Sequence, residues 1–399
     1  MNRRQFHRST AGCLAAGWMS LTSAADDEPQ RTLAQHRIAS LAMRTVNLEW
    51  PRMVGRNAVK GVHGNGPHSL IVILKTDQGA QGWGLVRGDR RSVEQIEERV
   101  LGQRVSGLIA PSIGILEDFV SPLDFALHDL AGVILERPVW RMIAPDSRTE
   151  PHLAPIYSGM IYFDDLDPPE APAGIGKLIE ECRWDYDYGY RQFKLKVGRG
   201  NKWMPPRATG LQRDIDAVRA VAAAFPDCEI LVDANNGFTL DECLTFLQEL
   251  QGIELFWIEE PFHETVEDYR RLHTWMQEHG VTNTYLADGE AQPDTPVLEE
   301  LQREQILDVR LEDVAGLGFT PWRRLLSDLV RQKLLASPHT WGSGLKTVYA
   351  AHLGGGLGGL PTVEGVTCSP ADVDFGEHVI RDGNLQLSSK PGFGLALKS

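Results

Sequence analysis

From about Pro155 onward, the chain repeats a short apolar segment followed by a stretch long enough to form one helix. This rhythm is typical of parallel βα units, because buried parallel strands read as apolar runs and need a helical crossover between them. The chain contains eight such segments, which are Pro155–Met160, Gln192–Val197, Glu229–Asp233, Leu255–Glu259, Thr284–Asp288, Leu307–Glu312, Leu334–Ser337 and Leu360–Glu364. They predict an α/β fold, a (β/α)8-type, TIM-like barrel that is modified near its last helix.

The residues before the barrel have a different pattern, which predicts a separate α+β region. Ile38–Val46 and Ser69–Lys75 are strand-like, and a turn leads from the second to a third strand at 81–84. Helical periodicity follows from Ser92 to about Leu135. We therefore divide the chain into an α+β capping domain, the barrel with the metal and catalytic site, and a C-terminal segment that packs back on the capping domain, with bounds 37–150, 151–366 and 367–399.

Residues 1–36 are predicted to be a signal peptide and linker. Arg3 and Arg4 precede a mildly apolar stretch at 9–23, and small residues near Ala24 offer a cleavage site. This order resembles a twin-arginine export signal, so we expect a periplasmic or otherwise exported protein. The alternative is a disordered start that contains two arginines by chance, which would leave the protein in the cytoplasm.

The overall charge excludes two classes of partner. The formal net charge is −14, and an acidic chain lacks the basic face that nucleic acid or an anionic membrane surface would require. No apolar run beyond the predicted signal is long enough to span a bilayer. A small anion remains an acceptable partner if the binding site carries its own cations.

Charged residues follow the ends of four successive predicted strands. The second strand ends in Lys-Leu-Lys at 194–196, and the two-residue period of a strand directs both lysines to the same side. The next three strands end at or just before Asp233, Glu259 and Glu290. Because the carboxyl ends of barrel strands meet at one face, we expect these side chains to lie close together.

Three carboxylates drawn together predict a metal site. They repel one another unless a cation lies among them, and ligation by oxygen alone fits Mg²⁺ better than Zn²⁺, with Mn²⁺ as an alternative. A single acid at a strand end is more often a helix cap. The fifth strand also carries Asp288 two residues before Glu290, and the sequence leaves the choice between them open.

Four motifs at successive strand ends resemble the mandelate racemase and muconate lactonizing branch of the enolase superfamily; they are Lys-x-Lys at 194–196, Asp-x-Asn at 233–235, Glu-Glu-Pro at 259–261 and Gly-Glu at 289–290. The resemblance covers nearly the whole chain beyond the predicted signal. It implies that Asp233, Glu259 and Glu290 are the metal ligands. It also implies that Lys194 contacts the substrate carboxylate and that Lys196 is a catalytic base.

The last three strands match the mandelate racemase-like subgroup. The resemblance implies that Asp313 and His339 form a dyad, in which the carboxylate fixes the tautomer of the imidazole and leaves its other nitrogen free for proton transfer. Glu364, on the eighth strand, matches a residue that contacts the substrate carboxylate. A surface charge at the end of a strand is the alternative for Glu364.

The resemblance implies that the long loop between the first two strands, from Trp50 to Pro67, closes over the barrel mouth. It is rich in glycine and carries four basic residues, Arg52, Arg56, Lys60 and His63. By resemblance, these residues and Asn235 would bind a polyhydroxylated or doubly anionic substrate. A solvated basic loop is the alternative, and nothing in the sequence distinguishes an aldonate from an aldarate.

The expected reaction is Mg²⁺-dependent removal of the proton next to a carboxylate. In this superfamily a lysine or histidine base works with Mg²⁺ on an enediolate, and we expect Lys194 and the metal to lower the pKa of Lys196. Dehydration of an acid sugar to a 2-keto-3-deoxy acid is favoured. The alternatives are racemisation or epimerisation of a 2-hydroxy acid or amino-acid derivative, and a non-catalytic exported sugar-acid binder. The expected partner is a small carboxylate substrate and the expected assembly a homo-oligomer.

Overall fold

The computed structural model describes residues 24–153, 155–290 and 292–398. The predicted export signal, with Arg3 and Arg4, lies outside them. The strands in these residues are β1 (Ile38–Asn47), β2 (His68–Thr76), β3 (Gln81–Leu85), β4 (Ile109–Ala110), β5 (Gly114–Ile115), β6 (Ile156–Ile161), β7 (Gln192–Lys196), β8 (Glu229–Asp233), β9 (Leu255–Glu259), β10 (Tyr285–Asp288), β11 (Val309–Arg310), β12 (Leu335–Ala336), β13 (Val363–Gly365), β14 (Val373–Asp374), β15 (Val379–Arg381), β16 (Asn384–Gln386) and β17 (Ala396–Leu397). The α-helices are α1 (Ala24–Leu33), α2 (Arg90–Glu94), α3 (Glu97–Val100), α4 (Asp124–Ile134), α5 (Val139–Ile143), α6 (Ile175–Tyr188), α7 (Arg207–Ala224), α8 (Leu240–Glu249), α9 (Val266–Glu278), α10 (Thr295–Arg303), α11 (Val314–Leu317), α12 (Phe319–Arg331) and α13 (Gly344–Leu357).

Eight parallel strands form a curled sheet that agrees with the predicted barrel. Strands β6 to β12 are neighbours in chain order, and β13 pairs with β6. On the other side of β13, the Ser337 hydroxyl just after β12 donates to the Thr362 carbonyl at 2.9 Å. Each strand from β6 to β12 is followed by at least one helix, whereas β13 leads into the C-terminal segment. The eighth strand was predicted to begin at Leu360, three residues before β13 begins at Val363.

Apolar side chains fill the space beneath the charged ends of the strands. Leu231 and Trp257 precede Asp233 and Glu259 by two residues, so the alternation of a strand turns all four to the same side. Leu231 and Trp257 belong to a buried cluster with Tyr157, whose ring centroid lies 5.1 Å from that of Trp257. This buried apolar layer supports the charged side chains at the carboxyl ends of the strands.

An antiparallel sheet of β1, β2 and β3 precedes the barrel, and helix α4 packs against it. The close approach depends on Gly82 in β3, because a Cβ atom there would lie 2.4 Å from the backbone of Leu130. The predicted helical stretch from Ser92 to Leu135 is interrupted by the β4–β5 hairpin. Glycines and Pro111 break the pattern there, although the apolar spacing continues through them.

Both ends of the described chain pack against the rest of the fold. Part of the predicted linker is helix α1, in which Leu33 is fully buried and the Gln30 side chain donates to the Ser106 carbonyl at 2.6 Å. The C-terminal segment contacts the region before the barrel, where the Phe393 amide donates to Asp129 at 2.7 Å. It also contacts the barrel itself, through the Gly383 amide and the Gly189 carbonyl.

None of the helices in the described residues combines the length and the apolar character needed to cross a membrane.

Candidate active site

Strand pairing places the first charged residues side by side. Lys196 is level with Asp233 in the β7–β8 register, and Asp233 is level with Glu259 in the β8–β9 register. Side chains at the same level of neighbouring parallel strands point to the same side of the sheet. All three are nearly or fully buried at the carboxyl end of the barrel, where the strands deliver their terminal side chains.

The three carboxylates predicted to hold the metal come together. Asp233, Glu259 and Glu290 each offer one oxygen, and these oxygens lie within 4.8 Å of one another. A second oxygen of Glu290, Oε2, is buried without a hydrogen-bond partner. A set of carboxylate oxygens with one uncommitted acceptor suits a hard divalent cation such as Mg²⁺. These residues therefore fit the ion that the sequence predicts.

Asp288 is turned away from this cluster. It accepts hydrogen bonds from the Tyr269 hydroxyl and from the Gly289 amide, and burial raises its pKa to about 7. The structure thus brings Glu290 rather than Asp288 to the other two carboxylates. The sequence left this choice open because only Gly289 separates the two acids. The positive φ of Gly289 turns the chain there and reverses the alternation expected of a strand.

Both lysines of the Lys-x-Lys motif contact the carboxylates. The Lys194 ammonium lies 2.9 Å from Glu259, 3.0 Å from Glu364 and 3.3 Å from Asp233. The Lys196 ammonium donates to Asp233. Burial alone would lower the pKa of each lysine, but the surrounding carboxylates outweigh it and hold both values above the usual range.

We expected Lys194 and a bound metal together to lower the pKa of Lys196. The repulsion from Lys194 is present, but the contact with Asp233 outweighs it and raises the pKa. The sequence could not reveal that Asp233 would accept directly from Lys196, since this depends on the β7–β8 register. A divalent cation bound by Asp233 would draw that carboxylate's charge away from Lys196 and leave burial and Lys194 to lower the pKa.

Asp313 and His339 lie in contact, as the resemblance implied. An isolated parallel bridge joins their backbones, and His339 Nδ1 is 3.1 Å from Asp313 Oδ2. The other oxygen of Asp313 caps helix α11 by accepting from the amides of Ala315 and Gly316 at 2.9 and 2.7 Å. The cap holds the carboxylate still, so the imidazole is oriented by a fixed partner.

The remaining nitrogen of His339 faces the carboxylate cluster. Its Nε2 lies 3.1 Å from Glu290 Oε1 and 3.8 Å from Glu364. Burial opposes the imidazolium, but these carboxylates and the Asp313 hydrogen bond raise the pKa of His339 to about 10. The geometry therefore directs Nε2, and a proton carried on it, toward the cluster.

Glu364 is a buried member of the site rather than a surface charge. Only 1% of its surface is exposed, and besides Lys194 it accepts from the Thr340 amide at 2.6 Å. Its pKa is lowered, because Lys194 and His339 outweigh the effect of burial. Asn235 lies at the rim, where its amide nitrogen approaches Glu260 at 3.5 Å and its buried Oδ1 has no hydrogen-bond partner.

The two loop arginines predicted to bind substrate are each paired with a carboxylate of the barrel. Arg52 makes two hydrogen bonds to Asp185 of α6, at 2.9 and 2.8 Å, and Asp185 is fully buried. Arg56 pairs with Asp167 in the segment after β6. Both guanidinium groups anchor the loop, because a buried carboxylate requires a partner. The sequence could not show this, since the partners lie more than a hundred residues away.

Among the four basic loop residues, it is the His63 side chain that the structure places beside the site. It contacts the ring of Tyr162 at a centroid distance of 4.8 Å, and the Lys196 ammonium lies 5.2 Å from the same ring. Lys60 is exposed to solvent. The loop therefore contributes an imidazole rather than a group of cations.

Three residues that the sequence analysis did not select also belong to the site. Tyr162 follows β6 directly, and its ring stacks on Trp341, two residues after His339, at 4.6 Å. The Lys346 ammonium donates to Asp313 at 2.7 Å from the first turn of α13. Each of them follows a barrel strand, so applying the strand-end rule to aromatic residues and first helical turns would have found them.

A barrel with buried carboxylates, lysines and a His–Asp pair at its carboxyl end defines a metal-dependent barrel enzyme. Residues 177–399 match the family model described as Enolase C-terminal domain-like. The match covers more than half of the chain, which therefore belongs to the enolase superfamily.

Relatives of known activity agree with this membership. The galacturonate dehydratase of a Geobacillus species, whose structure holds D-galacturonate and 5-keto-4-deoxy-D-galacturonate, is 28% identical, with a TM-score of 0.83 over 92% of this chain and 95% of that one. A mandelate racemase/muconate lactonizing protein from Geobacillus, complexed with magnesium and tartrate, is 28% identical, with a TM-score of 0.84 over 92% and 94%. The D-xylonate dehydratase of Haloferax volcanii is 23% identical over 91% of this chain and 93% of its own.

Proposed function

We propose that this protein is a Mg²⁺-dependent acid-sugar dehydratase of the mandelate racemase-like subgroup. It removes the proton next to a sugar carboxylate and expels the neighbouring hydroxyl as water, giving a 2-keto-3-deoxy acid. The observation that carries the proposal is a carboxylate cluster with the Lys196 ammonium on one side and His339 Nε2 on the other. Their strands, β7 and β12, lie almost across the barrel from each other.

The chain's own residues divide the work. Bound between Asp233, Glu259 and Glu290, Mg²⁺ would supply positive charge beside the substrate carboxylate as negative charge develops there. Lys194, held by Glu259 and Glu364, adds a second positive charge for the same carboxylate. Both charges favour the enediolate more than the starting acid, which is the requirement for a faster reaction.

The proton transfers are assigned by the position of each group. Lys196 Nζ takes the α-proton once its pKa is lowered, as its burial and Lys194 favour. His339 Nε2 gives its proton to the departing hydroxyl, which leaves as water, and Asp313 holds the imidazole by its Nδ1 hydrogen. The resulting enol then tautomerises to the keto acid. Glu364 and the hydrogen bond to Asp313 favour the protonated imidazole against its burial, which keeps the acid form available.

The test is a screen of acid sugars with the Mg²⁺-loaded enzyme in D₂O. We expect a 2-keto-3-deoxy acid from at least one substrate. Deuterium in recovered substrate of inverted configuration, without keto acid, would replace dehydration by racemisation or epimerisation at the same site. If calorimetry detected binding of an acid sugar but no α-proton exchanged across the library, a non-catalytic binder would be the better assignment.

We also propose how the enzyme is arranged around this site. Residues 37–150 and 367–399 would form the domain that caps the barrel; the support is that the loop at 50–67 is anchored to α6 and that the C-terminal segment contacts Asp129. A homo-oligomer is proposed from the sequence alone. So is export through Arg3 and Arg4, for which the test is cytoplasmic retention of a variant with lysine at both positions.

A further inference from the structure

We propose that the substrate is a monocarboxylic acid sugar whose far end is neutral and hydroxylated, rather than a dicarboxylate. This inference rests on the proposed function and narrows it. It is carried by the pairing of the arginines around the barrel mouth, together with the neutral aromatic group over Lys196 formed by Trp50, His63, Tyr162 and Trp341. We call these four residues the aromatic wall.

A second carboxylate would need a second cation. Placing an ionised carboxylate in a closed site without a partner is strongly unfavourable, and enzymes that bind two carboxylates usually meet each with arginine or lysine. Lys194 and the metal ligands serve the reacting end of the substrate. The far end must therefore be met by groups of the loop at 50–67 or of the segments that follow the strands.

Three arginines in those segments already form ion pairs with carboxylates, although the buried Nε atoms of Arg52 and Arg56 have no hydrogen-bond partner. Arg52 is held by the fully buried Asp185, and Arg56 is paired with Asp167. Arg199, which follows β7, is 1% exposed and lies 2.7 Å from Asp165 and 2.6 Å from Asp214. Releasing any of these guanidinium groups to a substrate would leave a largely buried carboxylate without its partner.

The other cations near the mouth are also committed or solvated. Lys346 donates to Asp313 at 2.7 Å, and Lys202 donates to the Val59 carbonyl at 3.3 Å. Lys60 is exposed. Exposed charges attract an anion weakly, because water and salt screen them.

The aromatic wall is neutral. The Trp341 ring stacks on that of Tyr162, and its centroid lies 4.9 Å from that of Trp50. The His63 ring contacts the rings of Tyr162 and Trp341 edge-on. Such rings pack against the C–H groups of a sugar and contribute few, well-placed polar atoms. An ionised carboxylate would lose its hydration against these faces without a compensating charge.

His63 offers a hydrogen-bond acceptor rather than a positive charge. Its Nδ1 lies 2.7 Å from the Gly55 carbonyl, which can only accept, so this nitrogen carries the hydrogen and Nε2 has a free lone pair. Burial lowers the pKa of His63, which favours the neutral ring. A lone pair accepts from a sugar hydroxyl and repels a carboxylate.

The experiment compares acids that differ at one end only. Galactonate is compared with galactarate, and gluconate with glucarate. Within each pair the shared carbons have the same configuration, and the dicarboxylate has a carboxylate where the monocarboxylate has a hydroxymethyl group. Other hexonate and hexarate pairs extend the set. We expect kcat/KM to favour the monocarboxylate by about 100-fold, the scale of one unpaired buried charged or polar group. Equal or better turnover of the dicarboxylates would overturn the inference while leaving dehydration intact. Absence of α-proton exchange with every acid would overturn the proposed function and the inference with it.

Variants at His63 test the role of the wall. His63→Lys replaces the acceptor with a cation and should shift the ratio of kcat/KM toward the dicarboxylate by about 10-fold or more, whereas His63→Gln retains an acceptor and should preserve the preference. The matched control is Val62→Lys, which adds the same charge to a neighbouring side chain that is 49% exposed. An equal shift in Val62→Lys, or a selective loss of dicarboxylate turnover in Lys60→Met, would show that solvated loop charge governs the choice and would refute the role of the wall.

Discussion

Asp313→Asn should stop product formation while leaving the protein folded. Asp313 makes four hydrogen bonds, of which Oδ1 accepts two from the start of α11 and Oδ2 accepts one each from His339 and Lys346. Asparagine can keep the first pair through its carbonyl oxygen, and asparagine caps helices about as well as aspartate. Its amide nitrogen then faces two donors, so the hydrogen bond that fixes the His339 tautomer is lost.

The magnitude follows from that single lost contact. An acid–base group with the wrong tautomer typically loses about 10²- to 10⁴-fold in turnover, which corresponds to roughly 3–5 kcal/mol of transition-state stabilisation. Lys196 is bonded to Asp233 and not to Asp313, so its removal of the α-proton should persist. The variant is expected to exchange the α-proton with solvent faster than it forms keto acid.

The assay measures both quantities on one sample, with deuterium incorporation followed by NMR and keto acid by colour reaction. The matched control is Asp89→Asn, which changes another helix-capping aspartate, at the start of α2, whose Oδ1 accepts from the Ser92 amide at 2.9 Å. This control should retain wild-type turnover. If Asp313→Asn kept turnover within about threefold of the wild type, the His339 tautomer would not be set by Asp313 and the dyad would be refuted.

Three further predictions follow from the described contacts. Asp233→Asn should abolish Mg²⁺ binding measured by calorimetry, and unchanged affinity would contradict its assignment as a ligand. Lys196→Ala should stop both exchange and product formation, whereas His339→Asn should stop product formation and retain exchange; full turnover of His339→Asn would reverse these roles. Arg52→Met should lower the free energy of unfolding by about 3–5 kcal/mol, because Asp185 is left buried without a counter-charge and keeps only its hydrogen bond from the Ser158 hydroxyl. Adding Asp185→Asn should restore most of the loss. A raised KM with unchanged stability would instead place Arg52 in the binding site.

Much of the barrel and of its charged centre could be predicted, because the relevant information is local. The Lys-Leu-Lys alternation in β7 and the acids at the ends of the next strands follow from the two-residue period and from the common face of parallel strands. The spacing of one βα unit between Asp233 and Glu259 is sufficient to predict that they meet, and they do.

What the sequence could not supply depends on contacts between distant segments. The sequence does not show that Arg52 forms an ion pair with Asp185, which lies far from it along the chain. The pKa of Lys196 depends on a direct contact with Asp233, and its direction reverses when that contact is included. Tyr162 and Trp341 were overlooked because aromatic residues next to a strand read as core, although here they stack above the charged centre.

The anchored loop also limits how this enzyme can be redesigned. Its residues precede the barrel in the chain, yet Arg52 is fastened to α6 and the Asn57 carbonyl accepts from the Trp203 indole, after β7, at 2.6 Å. A loop transplanted from a relative would leave Asp185 buried without its guanidinium group, and the graft would lose stability before it could gain a new preference. A successful transplant would have to exchange the loop together with Asp185 and Trp203. The set of residues that must be exchanged to change substrate specificity is therefore larger than the loop itself.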